Sequence, residues 1–128
     1  MPGYLRIHQD DFDLLDKYCN VKIRPAELAL VMDRIIRPWT TQAAPAWARN
    51  PRLIPQLPKV PECKRATVPC NTDHAKFFRN TVEKLNMKFG IQLDPDEVAS
   101  WLTRMFCKTY EIAEKNKYRP DLGSLRKF

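Results

Sequence analysis

Apolar residues recur at helical spacing in four stretches of the chain. In the first, over 9–19, Phe12, Leu15 and Cys19 share one face, with Leu14 and Tyr18 beside it. Asp10 or Asp11 suits its N-cap, and Asn20 suits its end. The second covers 25–36, with Pro25 at the first helical position. Its stripe of Leu28, Val31, Met32 and Ile35 is widened by Ala29, Leu30 and Ile36, so it asks for neighbours on most sides. Pro38 is expected to end it. The third, 73–89, is capped by Thr72 or Asp73, carries Phe78, Val82, Leu85 and Phe89, and stops at Gly90. The fourth, 95–115, opens on Asp94 as N-cap, followed by Pro95 and a reciprocal Glu97. Val98, Leu102, Met105 and Ile112 form its stripe, flanked by Trp101, Phe106 and Ala113. Cys107 falls opposite that stripe, so a buried Cys107 would call for cover from a partner.

No stretch reads as a strand, and no repeat occurs. The expectation is an all-α fold in one domain spanning 1–128. Two helical hairpins, 9–19/25–36 and 73–89/95–115, are joined by a Pro-rich extended crossing.

That crossing, 37–71, is a strap rather than a floppy linker. On a polyproline II template, with three residues per turn, Pro55, Pro58 and Pro61 share one face. Ile54, Leu57 and Val60 share a second, and Gln56, Lys59 and Glu62 a third. Proline fixes φ, so the segment loses little entropy when ordered. From Arg52 to Glu62 it would reach about 30 Å. A stiff rod with an aliphatic stripe lays that stripe on its own helices or on a partner. Trp39 and Trp47 would anchor its entry, and Lys64 and Arg65 its exit.

Charge sharpens this picture. The chain has a net charge of +7, and the excess is concentrated in two places. The strap holds Arg37, Arg49, Arg52, Lys59, Lys64 and Arg65 against Glu62 alone, and a basic tail, 117–128, includes Arg126 and Lys127. The longest aliphatic run, Leu28 to Met32, is far too short for a transmembrane span. The N-terminal stretch lacks an apolar core of signal-peptide length, so an intracellular location is expected.

Catalytic chemistry finds little support. The three glycines form no phosphate-cradling loop, the two serines have no nucleophile-elbow context, and His8 and His74 lie far apart. The acids of the first helix read as capping and a solvated face. Cys63, Cys70 and His74 could supply three zinc ligands, with Cys19 or Cys107 as a fourth, but no tight Cys-x-x-Cys knuckle occurs. A Cys63–Cys70 disulfide is the other option, and reduced thiols without metal or cofactor are the expectation. The third and fourth helices match a helix-turn-helix in length. The would-be recognition helix opens on Asp94, Asp96 and Glu97, which phosphate would repel. Arg52 to Pro58, "RLIPQLP", also fits the basic-x-x-Pro-x-x-Pro pattern of SH3 ligands, though its aliphatic flanks do not suit one.

The function expected is that of a non-catalytic accessory or structural subunit of a larger assembly. Trp39, Trp47, Ile54, Leu57 and Val60 would be the apolar contacts with other protein subunits. Arg49, Arg52, Lys64, Arg65, Arg126 and Lys127 would meet acidic protein, RNA or anionic lipid headgroups. By analogy alone, a basic, proline-strapped, glycine-poor subunit suits an organellar complex such as a mitochondrial one. The alternative is a small basic regulator that binds nucleic acid or a nucleic-acid-processing machine.

Overall fold

A computed structural model of the chain describes residues 3–19 and 25–115, with side chains placed for 3–17 and 28–109. The chain order is β1 (Gly3–His8), α1 (Gln9–Cys19), α2 (Pro25–Pro38), a π-helical turn (Trp39–Ala43) and α3 (Ala44–Arg49). Short 3₁₀ turns at Pro51–Leu53 and Glu62–Lys64 bracket an extended run, 54–61. Then come β2 (Arg65–Cys70), α4 (Thr72–Phe89) and α5 (Pro95–Lys115). Among the described residues no helix is long and apolar enough to cross a membrane.

The fold is helix-dominated but not all-α. β1 and β2 pair antiparallel, with Gly3 opposite Cys70, Leu5 opposite Val68 and His8 opposite Arg65. Leu5, Ile7, Val68 and Cys70 point into the core, as period-two alternation requires. Each strand offers only two or three apolar positions, one contains Pro69, and the strands lie far apart in sequence. No local signal announces the pair.

Pro69 fixes the hydrogen-bond phase of the sheet. It has no N–H, so the Tyr4–Pro69 pair belongs to the class that exchanges no hydrogen bonds. The backbone groups of Tyr4 and His8 therefore face away from β2. Helices satisfy them: the His8 N–H donates to Ser100 Oγ at 2.7 Å, and the Tyr4 carbonyl accepts from the Arg79 guanidinium. Side chains from α5 and α4 thus occupy the outer edge of β1, where another strand would otherwise add. Gly3 begins the strand because a Cβ there would sit 2.5 Å from the Thr72 Cα.

The sheet also decides how the helices pack. α1 lies on α5 and the sheet, and α2 on β2, α4 and α5, so the predicted 9–19/25–36 hairpin is not the packing unit. α5 turns its Ala99–Thr103–Cys107 face inward, while Met105 is 48% exposed. The buried face is turned from the expected stripe, which keeps Val98 and Leu102 but loses Met105, and β1, α1 and α2 pack against α5.

Caps explain the element ends. His8 Nδ1 accepts from the Asp10 N–H at 3.0 Å, a role expected of Asp10 or Asp11. Asn71, rather than Thr72 or Asp73, caps α4 by accepting from the Asp73 and His74 amides. Gly90, at φ 62°, closes α4. Asn86 then clasps the Leu93 backbone at 2.7 and 2.9 Å, and Asp94 accepts from the Asp96 N–H at 2.9 Å.

Pro38 ends the α-helical register but not the helical path. It cannot donate to the carbonyl four residues back. A π turn absorbs the break, with the Ala44 N–H donating to the Trp39 carbonyl. Thr40 and Thr41 hydroxyls donate to the Ile36 and Arg37 carbonyls, each at 2.8 Å. The wider turn brings both tryptophans of the strap into the core. Trp39 meets Trp47 and Phe78 edge-on at 5.3 and 5.2 Å, and Trp47 lies 5.8 Å from Trp101. This aromatic chain ties the crossing to α4 and α5.

Candidate interaction groove

Two adjacent phenylalanines on α4 divide the work. Phe78 joins Ala75, Val82 and Leu85 in the core. Phe77 is turned by one residue, about 100°, and is 57% exposed. It lies on a second stripe, His74, Phe77, Thr81, Lys84 and Lys88, beside the buried one. Opposite stand Arg37, Thr40, Thr41, Ala44, Pro45 and Ala48, from the end of α2, the π turn and α3. Two adjoining hollows of about 260 and 200 Å³ lie between these walls and share Thr40 and Phe77. From His74 to Lys88 the trough follows α4 for about 21 Å.

Small residues on α3 keep the trough open, and its middle is apolar. Lys84 and Lys88 stand at one end, and Arg37 beside His74 at the other. Among the described residues no carboxylate lines either hollow. Sequence reasoning missed the site. The helical stripe runs through Phe78, and Lys84 and Lys88 lie outside the basic strap and tail. The available signal was the Phe77–Phe78 pair, since neighbours about 100° apart cannot both enter a narrow core stripe.

At the Arg37 end, His74 meets a polar cluster. The Cys70 thiol donates to Asp33 Oδ1 at 3.3 Å, and His74 Nδ1 lies 3.1 Å from the same oxygen. Burial, then the hydrogen bond and negative charge of Asp33, push the Cys70 thiol up to about 12. At neutral pH it is a protonated donor, the opposite of an activated nucleophile. Asp33 stands between thiol and imidazole rather than behind the imidazole, so the order of a nucleophile–base–orienter triad is absent. The sequence put Cys70 and His74 together only as candidate zinc ligands with Cys63, and missed Asp33, which α2 supplies.

Cys63 does not join them. It is exposed and precedes β2, whereas Cys70 ends the strand. The strand itself spans about 16 Å, far beyond the reach of a disulfide or a shared zinc ion. Cys63 and Cys70 are both free thiols. Among the described residues no group of three His, Cys, Asp or Glu side chains is placed to hold a metal. Cys19 has no described side chain.

The strap residues named from sequence separate into three groups. Trp39, Trp47 and Val60 are buried in the chain's own core, and Ile54 and Leu57 pack against it half-buried. The three-residue period is real over 54–62: Gln56, Lys59 and Glu62 are exposed. Outside β2, the extended part of 37–71 is only 54–61, and its aliphatic edge rests on the chain itself. Arg65 is also committed internally, 3.1 Å from Glu62 and 3.0 Å from Asp94, and bonded to Asp96. Arg6 joins the same acids, at 3.0 Å from Glu62 and 3.4 Å from Asp96. Arg49, Arg52 and Lys64 are exposed. Arg126 and Lys127 lie outside the described residues.

No family model, curated protein or solved structure matches the chain.

Proposed function

We propose that the chain is a non-catalytic accessory subunit that holds other proteins, and that the α3–α4 groove is its contact surface. The exposure of Phe77 in an apolar trough carries this reading. Covering a large apolar side chain is worth about 1.5–3 kcal/mol, and the chain leaves that gain unused while burying Trp39, Trp47 and Phe78 nearby. Aromatic residues in such hollows are typical anchors of interfaces.

Phe77→Asp tests the proposal. Because Phe77 is exposed, the variant should melt within a few degrees of the wild type. On native separation of a cell extract it should move from a high-mass complex to the mass of the isolated chain. An unchanged complex would remove the groove from consideration.

A further inference from the structure

Resting on that reading, we infer that the occupant of the groove is an acidic amphipathic α-helix of a partner protein, with a narrow apolar stripe and carboxylates flanking it. A peptide that binds as an added β-strand needs unpaired backbone groups beside it. The walls here are helices whose backbone groups are bonded within themselves, and the outer edge of β1 is occupied by Arg79 and Ser100. A helix needs only ridges and grooves. The α4 wall presents them at alternating three- and four-residue steps, the spacing on which helices interlock. Ala44 and Ala48 on the opposite wall let another backbone approach closely.

Length and charge narrow the occupant further. A trough about 21 Å long takes roughly four helical turns, or about 14 residues. Among the described lining residues no carboxylate faces Lys84 and Lys88 at one end or Arg37 at the other, so a ligand of opposite charge is the complementary one. The chain's own 117–128 tail, with Arg119, Arg126 and Lys127, has the wrong sign.

Selection from a display library of random peptides about 16 residues long tests this. The wild-type chain is the bait, and Phe77→Asp is used for counter-selection. Enriched peptides should carry net negative charge and apolar residues at i, i+3, i+4 and i+7. As synthetic peptides they should gain helicity on binding. Their affinity should fall about tenfold or more on Phe77→Asp and also on Lys84→Glu with Lys88→Glu, whose exposed positions leave the fold intact. Enrichment of basic or extended proline-rich peptides would overturn the acidic-helix inference while leaving the groove as a contact surface. No enrichment over Phe77→Asp would overturn both. Self-association of the wild type that Phe77→Asp abolishes would replace the partner helix with a second copy.

Discussion

Arg104 of α5 grips Asp11 of α1 at two points, Nε to Oδ1 at 3.0 Å and Nη2 to Oδ2 at 3.2 Å. The Asp11 side chain is only 4% exposed, whereas Arg104 is 45% exposed. The pair joins elements that sequence assigned to different hairpins, and it explains why α1 lies on α5.

Removing the cation is therefore the costly change. Arg104→Ala strands a buried carboxylate and should lower stability by about 1–3 kcal/mol, below the range for a fully buried pair because Arg104 is partly solvated. Asp11→Asn combined with Arg104→Ala should cost less than the sum of the two single changes. Urea denaturation of the four proteins checks both. Strict additivity would mean that the two side chains are not coupled.

The aromatic chain gives a second test. Trp47 lies between Trp39 and Trp101, so Trp47→Ala should destabilise by about 3–5 kcal/mol. A tryptophan reserved for a partner would leave the isolated chain's melting temperature almost unchanged. The thermal melt of the purified variant separates the two roles.

What the sequence made legible follows from the range of each signal. Helices α4 and α5 were readable to within about a residue because Gly90, Pro95 and Asp94 act locally. The three-residue period of Ile54, Leu57 and Val60 was readable because prolines pin the backbone. The Leu5–Val68 pairing was not, since nothing local links its two halves. That omission propagated: without the sheet a buried Cys107 calls for a partner, and of the expected stripe Val98 is buried and Leu102 packs on the core but Met105 is exposed. The trough was hidden for a related reason. Pro38 reads as a helix end, and only the π turn shows that the path continues and sets Ala44 and Ala48 opposite Phe77.

The cysteines should differ sharply in reactivity. At pH 8, alkylation followed by peptide mass mapping should label exposed Cys63 well before buried Cys70 and Cys107. Cys70 also links stability to alkaline pH. An unfolded thiol ionises near 9, whereas burial holds the folded one to about 12. The folded state thus keeps a proton that the unfolded state has lost. This contribution is full below about pH 9 and is lost as pH rises from there towards 12. Cys70→Ala should flatten the alkaline arm of the stability–pH curve. A Cys70 labelled as fast as Cys63 would contradict both its burial and its bond to Asp33.

Anionic partners at the strap are the remaining question, and the geometry limits what they can do. Arg49, Arg52, Lys59 and Lys64 are exposed and can meet phosphates, but Trp39 and Trp47 are buried and cannot stack on bases. Any RNA affinity of the strap should therefore be purely electrostatic. It should fall steeply with salt, show no base preference, and weaken when Arg49, Arg52 and Lys64 become Ala, with a shallower slope of log K against log salt. Arg65→Ala should behave differently. It breaks the network with Glu62, Asp94 and Asp96, and should lower stability by about 1–3 kcal/mol, whereas Lys64→Ala should change it by less than about 0.5 kcal/mol. Filter binding of a single-stranded RNA across a salt series, run beside melts of each variant, distinguishes these effects. Affinity that survives high salt would require stacking or base contacts. Since both strap tryptophans are enclosed, it would have to come from a surface other than the strap.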